Sequence, residues 1–132
     1  MKKILIVDDD QVFSKVLGDA LALEDFTIVK SINGSDGLLT FEKEKPDLVL
    51  LDMKMPGLDG IGFLKKLREK NNDETPIPVL IASNLSDIEK VSEGISLGVK
   101  GYISKSDETT ENIVGDIKRV IAEEERLKNK IK

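Results

Sequence analysis

The chain has 132 residues, carries a net charge of −5 and contains no cysteine, histidine or tryptophan. These counts suit one domain and exclude a disulfide scaffold, a thiolate nucleophile, a histidine-based triad and an imidazole zinc site. A metal would be bound by oxygen atoms, which favours Mg²⁺, Mn²⁺ or Ca²⁺. No apolar run is long enough to span a bilayer, so a cytoplasmic protein is expected. The negative charge argues weakly against nucleic-acid binding.

Five short apolar runs predict the strands of a parallel sheet. In chain order they are Ile4–Val7, Thr27–Val29, Leu48–Leu51, Pro78–Ala82 and Gly101–Ile103. Three of them are nearly unbroken and rich in leucine or β-branched residues. This composition is typical of strands that are buried on both faces.

Amphipathic segments that follow these runs predict five helices, because apolar residues recur in them at steps of three and four. The expected inner faces are Val12, Phe13, Val16, Leu17, Ala20 and Leu21 in the first, Ile61, Phe63, Leu64 and Leu67 in the third, Ile88, Val91 and Ile95 in the fourth, and Ile113, Ile117, Val120 and Ile121 in the fifth. The second helix, 35–43, is less regular. Ser86 and Glu89 match a capping box at the start of the fourth helix.

Alternation of strands and helices predicts an α/β fold with a parallel sheet between two helical layers. In such sheets a ligand binds at the carboxyl ends of the strands, where the strand order reverses. The residues that follow the predicted strands are Asp8, Asp9 and Asp10, then Asp52, then Ser83 and Asn84, and finally Lys105. Carboxylates, a hydroxyl and an ammonium group are therefore expected to meet at one edge of the sheet.

This group of side chains suits phosphoryl transfer. Neighbouring carboxylates repel each other unless a cation is present, and Mg²⁺ is the cation that an oxygen-only site in the cytoplasm favours. A carboxylate can itself act as the nucleophile and form an aspartyl phosphate. Mg²⁺ and Lys105 would then neutralise charge on the phosphoryl oxygens, while Ser83 would donate a hydrogen bond.

Several stretches, taken in order, resemble a response-regulator receiver domain. They are the residues 4–10 (ILIVDDD), 33–37 (NGSDG), 46–60 (PDLVLLDMKMPGLDG), 78–83 (PVLIAS) and 97–105 (LGVKGYISK). The resemblance extends to about residue 122, so residues 1–122 are expected to form the receiver domain and 123–132 a charged extension of its last helix. It implies a flavodoxin-like (βα)5 three-layer sandwich, whose five-stranded parallel sheet has the order 2-1-3-4-5.

The resemblance also implies a role for each residue of the site. Asp52 is expected to accept the phosphoryl group. The expected ligands of Mg²⁺, or of Mn²⁺ in its place, are Asp8, Asp9, Asp52 and the backbone carbonyl of Lys54. Ser83 is expected to bind a phosphoryl oxygen, and Lys105 to pair with Asp52 before transfer and with the phosphoryl group afterwards. Tyr102 is expected to turn inward when Ser83 is drawn to that group.

A histidine kinase or a histidine phosphotransfer protein is the expected phosphoryl donor, because the chain has no histidine of its own. The expected output is a change in the surface formed by the fourth helix, fifth strand and fifth helix, which an unidentified protein would recognise. The protein is expected to be a monomer, or a weak dimer through that surface. It is expected to catalyse its own phosphorylation and slow autodephosphorylation rather than the turnover of a separate substrate, so it is not expected to be an enzyme.

Two departures from the family pattern keep a second interpretation open. Ser106 follows Lys105 where receivers usually have a proline in a cis peptide; a cis bond before serine would cost about 3 kcal/mol, and the sequence leaves the geometry of this peptide open. Asn84 stands where a small residue is common. Both departures are compatible with a receiver that binds partners without phosphorylation.

A third interpretation is a phosphatase of the haloacid-dehalogenase type. Asp8 and Asp10 have the Asp-x-Asp spacing of that family's nucleophile and general acid. Gln11 and Val12 follow instead of the Gly-Thr expected there, and the chain is short for that fold.

The charged segment 123–132 is open to two interpretations as well. It is either a solvated extension of the last helix, or a signalling helix or short coiled-coil stub. The helix as a whole is expected to run from Glu108 to about Lys130.

Overall fold

The computed structural model describes residues 1–70, 77–84 and 88–131, in which strands and helices alternate. The elements are β1 (Lys3–Val7), α1 (Gln11–Ala22), β2 (Thr27–Ser31), α2 (Gly34–Glu44), β3 (Leu48–Leu51), α3 (Gly60–Lys70), β4 (Val79–Ser83), α4 (Ile88–Ser96), β5 (Gly101–Ser104) and α5 (Thr110–Ile131). All ten elements expected from the sequence are present. The expected capping-box residue Ser86 lies outside the described residues.

The five strands form one parallel sheet of order β2-β1-β3-β4-β5, which confirms the predicted topology. β1 pairs with β2 on one side and with β3 on the other. The chain therefore reverses its direction across the sheet between β2 and β3. This reversal opens a crevice at the carboxyl ends of β1 and β3, where Asp8 and Asp52 follow the strands.

Side chains of the central strands alternate between two apolar layers. In β1, Ile4 and Ile6 pack into the core beneath α1 and α5, whereas Leu5 and Val7 pack into the core beneath α2 and α3. All four side chains are completely buried. The period of two residues in a strand thus produces the three-layer sandwich.

The first turns of α1 and α3 are capped by carboxylates. Asp10 is the N-cap of α1 and accepts a hydrogen bond of 3.0 Å from the amide of Phe13, as expected of a simple cap. Asp59 accepts a bond of 2.8 Å from the amide of Gly62. These caps satisfy amides that have no partner within the helix.

The inner face of α1 differs from the sequence prediction. Val12 and Val16 are 75% and 51% exposed, whereas the buried residues are Ser14, Leu17, Gly18 and Leu21. α1 lies close to β2 at Gly18, where a Cβ would stand 3.0 Å from the side chain of Lys30 and 3.4 Å from that of Ile28. Close approach to the sheet, rather than apolarity alone, therefore selects the buried face of this helix.

The inner face predicted for α4 is wrong at Ile95, whose side chain is 62% exposed. The side chains of Ile88 and Val91 lie outside the described ones. Among residues 92–96, the part of α4 whose side chains are described, Gly94 is the buried one, and a Cβ there would stand 2.5 Å from the side chain of Ile81. As in α1, close contact with the sheet requires a residue without a side chain.

α5 buries the four residues predicted for it, of which Ile121 is the last, and continues to Ile131. The start of the charged segment is attached to the body of the domain. Glu124 forms an ion pair of 3.3 Å with Lys100, and Glu125 pairs with Lys2. No helix in the described part of the chain is both long enough and apolar enough to cross a bilayer.

Arg68 joins three segments at the end of the sheet opposite the crevice. Its guanidinium donates hydrogen bonds to the carbonyls of Leu97 (3.1 Å), Ile77 (3.1 Å) and Gly98 (3.3 Å). Ile77 precedes β4, and the other two follow α4, where carbonyls lack partners within the helix. Partial burial lowers the pKa of Arg68 below its ordinary value, yet the side chain stays charged at neutral pH.

We expect Arg68→Ala to lower the free energy of unfolding by about 2 kcal/mol, because three carbonyls lose a charged donor. Lys65→Ala is the matched control on the same helix, since it removes a cation from an exposed ion pair of 3.2 Å with Glu93. That change should cost less than about 0.5 kcal/mol. Urea unfolding measures both values, and equal losses would contradict the role assigned to Arg68.

Candidate functional site

Asp8 stands at the end of β1 with only 2% of its surface exposed. Its amide donates a hydrogen bond of 3.0 Å to the carbonyl of Ser31, which extends the pairing of β1 with β2 by one residue. Its Oδ1 accepts a bond of 2.9 Å from the amide of Asp10. The backbone therefore determines where this carboxylate lies.

Asp52 occupies the equivalent position after β3 and is 6% exposed. Its amide donates a bond of 2.9 Å to the carbonyl of Val7. On the other side, Gly60 lies so close that a Cβ there would stand 2.5 Å from the Asp52 carbonyl. Asp52 is thus held between the end of β1 and the first residue of α3.

The two carboxylates disfavour each other's ionisation. Burial raises the pKa of Asp52 to about 6, and the charge of Asp8 adds to this increase, while Lys105 opposes it. Burial also raises the pKa of Asp8, although hydrogen bonds from Lys105 and from the Asp10 amide act in the other direction. The pocket therefore has an excess of negative charge that one ammonium group does not balance.

Lys105 extends its ammonium group between these carboxylates. Nζ lies 2.6 Å from Asp8 Oδ2 and 3.9 Å from Asp52 Oδ2. It also stands 4.5 Å from the centre of the Phe13 ring, in a cation–π contact. The expected pairing with Asp52 is therefore the longer of two ion pairs, and the shorter one is with Asp8.

The site opens to solvent through a cleft of about 320 Å³. Its lining residues are Asp9, Asp10, Asp52, Lys54, Ser83, Asn84 and Lys105. Ser83 is the last residue of β4 and is 7% exposed, and its hydroxyl has one long bond of 3.5 Å to the carbonyl of Asn84. A hydroxyl held so weakly is available to a ligand in the cleft.

Oxygen ligands for a divalent cation are also brought together. Carboxylate oxygens of Asp8, Asp9 and Asp52 lie within 4.8 Å of one another, and Asp9 is the exposed member of the three. The backbone at Lys54 adjoins them, since its amide is 3.5 Å from Asp52 Oδ1. Hard oxygen ligands with one side open to solvent suit Mg²⁺.

Tyr102 lies in β5, outside the cleft, and is half-buried. It packs against the cluster of Met53, Ile61 and Ile81, and it is opposite Ile81 in the pairing of β4 with β5. Burial raises the pKa of its hydroxyl, and the nearby charge of Asp107 adds to the increase. Met53 follows Asp52 directly, so this cluster joins Tyr102 to the floor of the site.

Two features of the site were absent from the sequence predictions. One is the contact of Phe13 with Lys105, since Phe13 was assigned only to the core. The other is the turn after β5, where the hydroxyl of Ser104 donates a bond of 3.1 Å to Asp107 Oδ2. A serine three residues before an aspartate was the available signal for this turn. The peptide between Lys105 and Ser106 is trans.

Comparison with known proteins gives a consistent result. A family model described as the response regulator receiver domain matches residues 4–117. The "Probable transcriptional regulator ycf27" of Porphyridium aerugineum is 34% identical over 104 residues, which are 79% of this chain and 42% of that protein. The "Uncharacterized transcriptional regulatory protein YcbL" of Bacillus subtilis (strain 168) is 39% identical over 102 residues, 76% of this chain and 43% of the relative. This chain thus spans less than half the length of these curated relatives.

A solved structure agrees over nearly its whole length. The response regulator receiver domain protein (CheY-like) from Methanospirillum hungatei JF-1 superposes with a TM-score of 0.87 at 25% identity. The match covers 96% of this chain and 98% of that one. The two chains therefore share the complete fold, including the order of the strands.

We expect Asp52→Asn to stabilise the metal-free protein at pH 7. The pKa of Asp52 is about 6 in the folded chain, against an ordinary value of 3.8. Between these values the folded state binds more protons than the unfolded state, so its stability falls as the pH rises through this window. Asparagine avoids that loss, and the gain at pH 7 is expected to reach up to about 3 kcal/mol.

Urea unfolding with a chelator, at pH 7 and at about pH 4, checks this expectation. The gain should shrink towards the acidic pH, where Asp52 is protonated in the folded chain. Asp19→Asn is the control, because Asp19 is exposed and pairs with Lys15 on the surface of α1. A gain that is equal at both pH values, or a loss at pH 7, would contradict the electrostatic account of the pocket.

Proposed function

Since this chain belongs to the response regulator receiver domain family, we propose that it is a switch in which Asp52 accepts a phosphoryl group from a partner's phosphohistidine. The partner is a histidine kinase or a histidine phosphotransfer protein. The observation that carries this proposal is the meeting of Asp8, Asp9, Asp52 and Lys105 at the carboxyl end of the sheet. Three acids and one ammonium around an open cleft suit a transferring phosphoryl group.

In the proposed reaction, a carboxylate oxygen of Asp52 attacks the phosphorus atom. The new O–P bond forms as the P–N bond to the imidazole breaks, and the departing nitrogen keeps the electron pair. A pKa of about 6 leaves Asp52 mainly ionised at neutral pH, and so able to act as the nucleophile. Its burial keeps the carboxylate poorly solvated, and the hydrogen bond from its backbone amide to the carbonyl of Val7 holds the backbone at this position.

Mg²⁺, with Mn²⁺ as an alternative, is the proposed cofactor. The carboxylates of Asp8, Asp9 and Asp52 and the carbonyl of Lys54 would hold it. The ion would supply positive charge to the phosphoryl oxygens. The raised pKa values of Asp8 and Asp52 support this, since they are the mark of carboxylates that lack a sufficient counter-charge.

Lys105 and Ser83 complete the site in this proposal. The ammonium of Lys105 leaves Asp8 for a phosphoryl oxygen, and the hydroxyl of Ser83 donates a hydrogen bond to another oxygen. Ser83 gives up only a weak hydrogen bond when its hydroxyl turns to the phosphoryl group, because its bond to the Asn84 carbonyl is long. Asn84 is exposed and lines the same cleft as Ser83.

The output is proposed to pass through Tyr102 to the surface of α4, β5 and α5. Tyr102 of β5 packs against Ile81 of β4, the strand that ends at Ser83. Movement of Ser83 would therefore change the space beside Tyr102. We propose residues 1–122 as the receiver domain and 123–132 as an extension of its last helix.

Acetyl phosphate with Mg²⁺ is expected to add one phosphoryl group to the wild-type protein, as measured by intact mass. Asp52→Asn should gain none, because the amide is not a nucleophile of this kind. Asp19→Asn, which alters an exposed aspartate on α1, should gain as much as the wild type. Full labelling of Asp52→Asn would refute the assignment of the acceptor.

Other outcomes of the same experiment separate the competing functions. A wild-type protein that takes no phosphoryl group from acetyl phosphate, or from a cognate kinase, would be a receiver that acts by binding alone. Repeated turnover of a simple phosphomonoester, unaffected by Asp52→Asn, would indicate a phosphatase that uses Asp8. A single, stoichiometric modification at Asp52 distinguishes the proposed switch from both.

We expect Lys105→Gln to bind Mg²⁺ about tenfold more tightly than the wild type. The reason is the ion pair of 2.6 Å between Lys105 and Asp8, which competes with a cation for the same oxygen. Lys15→Ala removes one positive charge from the surface of α1 and should leave the affinity unchanged. Calorimetric titration with Mg²⁺ measures both, and weaker binding by Lys105→Gln would contradict the competition.

A further inference from the structure

Backbone hydrogen bonds hold the turn that contains Lys105, both to the neighbouring strand and within the turn itself. The amide of Lys105 donates a bond of 3.1 Å to the carbonyl of Ser83 in β4. The carbonyl of Ser104 accepts bonds from the amides of Asp107 (3.3 Å) and Glu108 (3.0 Å). These bonds close a tight turn directly after β5.

A side-chain contact reinforces this turn. The hydroxyl of Ser104 is 3.1 Å from Asp107 Oδ2 and 3.4 Å from the hydroxyl of Ser106. Ser104 is 7% exposed, whereas Asp107 is exposed. A buried hydroxyl that donates to a carboxylate forms a charge-assisted bond, which is stronger than a neutral one.

The two faces of β5 separate this contact from the ammonium of Lys105. Tyr102 and Ser104 share one face because they are two residues apart, and Asp107 is near enough for its charge to raise the pKa of Tyr102. Ile103 belongs to the other face, beneath α1 and α5. Lys105 continues on that second face, where it stands over Phe13 and reaches Asp8.

We propose that Asp107 is a positioning residue for Lys105. By holding the hydroxyl of Ser104 on one face of β5, it fixes the backbone from which Lys105 crosses to Asp8 and Asp52 on the other. Asp107 touches no reacting atom and acts only through the turn. The effect on catalysis rests on the proposed function, whereas the effect on the place of Lys105 does not.

The first test is the rate of phosphorylation by acetyl phosphate at saturating Mg²⁺. Asp107→Ala and Ser104→Ala should each lower the maximal rate about fivefold, the equivalent of one hydrogen bond, without changing the acetyl phosphate concentration at half-maximal rate. The double variant should be no slower than either single one, because all three lose the same bond. Asp107→Asn keeps a side-chain oxygen that accepts from Ser104 and should recover most of the rate.

The second test needs no phosphorylation. The ¹³Cε resonance of Lys105, assigned by its loss in Lys105→Gln, reports the surroundings of the ammonium in the chelated protein. It should shift in Asp107→Ala and in Ser104→Ala, and remain in place in Asp107→Asn. Asp116→Ala is the control for both tests, since Asp116 forms an ion pair of 3.1 Å with Arg119 on the outside of α5.

Each outcome decides between the two proposals. A shifted resonance in a protein whose wild type takes no phosphoryl group would refute the proposed function and leave the positioning role standing. A phosphorylated wild type with an unmoved resonance in Asp107→Ala would overturn the positioning role, whatever the rate does. An Asp107→Asn protein as slow as Asp107→Ala would overturn it as well. Thermal unfolding establishes that each variant is folded, and Ser104→Ala decides by the same criteria if Asp107→Ala is not.

Discussion

The burial of two neighbouring carboxylates beside one ammonium group is the constraint on which the rest of this structure depends. Asp8 and Asp52 are withdrawn from water at the ends of the two central strands, and Lys105 compensates only part of their charge. Removing charges from water costs several kcal/mol for each ion unless partners replace the solvent. The raised pKa values of Asp8 and Asp52 reflect this incomplete compensation of their negative charge. A doubly charged cation at these oxygens would offset that excess of negative charge.

The sheet can sustain this arrangement because its centre is rigid and apolar on both faces. The side chains of Ile4, Leu5, Ile6 and Val7 in β1 are wholly buried between the two helical layers. Backbone bonds continue the strand pairing one residue further, to Asp8 and Asp52 themselves. The acids therefore keep their separation, and the groups that can move are the long side chain of Lys105 and the hydroxyl of Ser83. Fixed acids with adjustable partners form a site whose electrostatic state can change while the fold remains.

Features that follow from topology were predictable from the sequence, and those that follow from close packing were not. The place of Asp52 at the mouth of the site required only the order of strands and helices, because parallel strands end at the same edge. The contact of Phe13 with Lys105 depends on the path of a flexible side chain over a neighbouring helix, which no spacing encodes. The inner face of α1 was misjudged at Val12 because apolarity was the only criterion. Ser14 and Gly18 are buried instead, and at Gly18 the side chains of β2 come close to the helix.

The position of Tyr102 has an optical consequence. It is the only tyrosine in a chain without tryptophan, so near-ultraviolet fluorescence arises almost entirely from one ring. That ring lies half-buried against Met53, Ile61 and Ile81, one strand away from the floor of the acidic cleft. Its quantum yield and anisotropy therefore report the packing of a single place between the cleft and the outer surface. The unlabelled protein thus contains its own fluorescent probe between the acidic cleft and the outer surface of the domain.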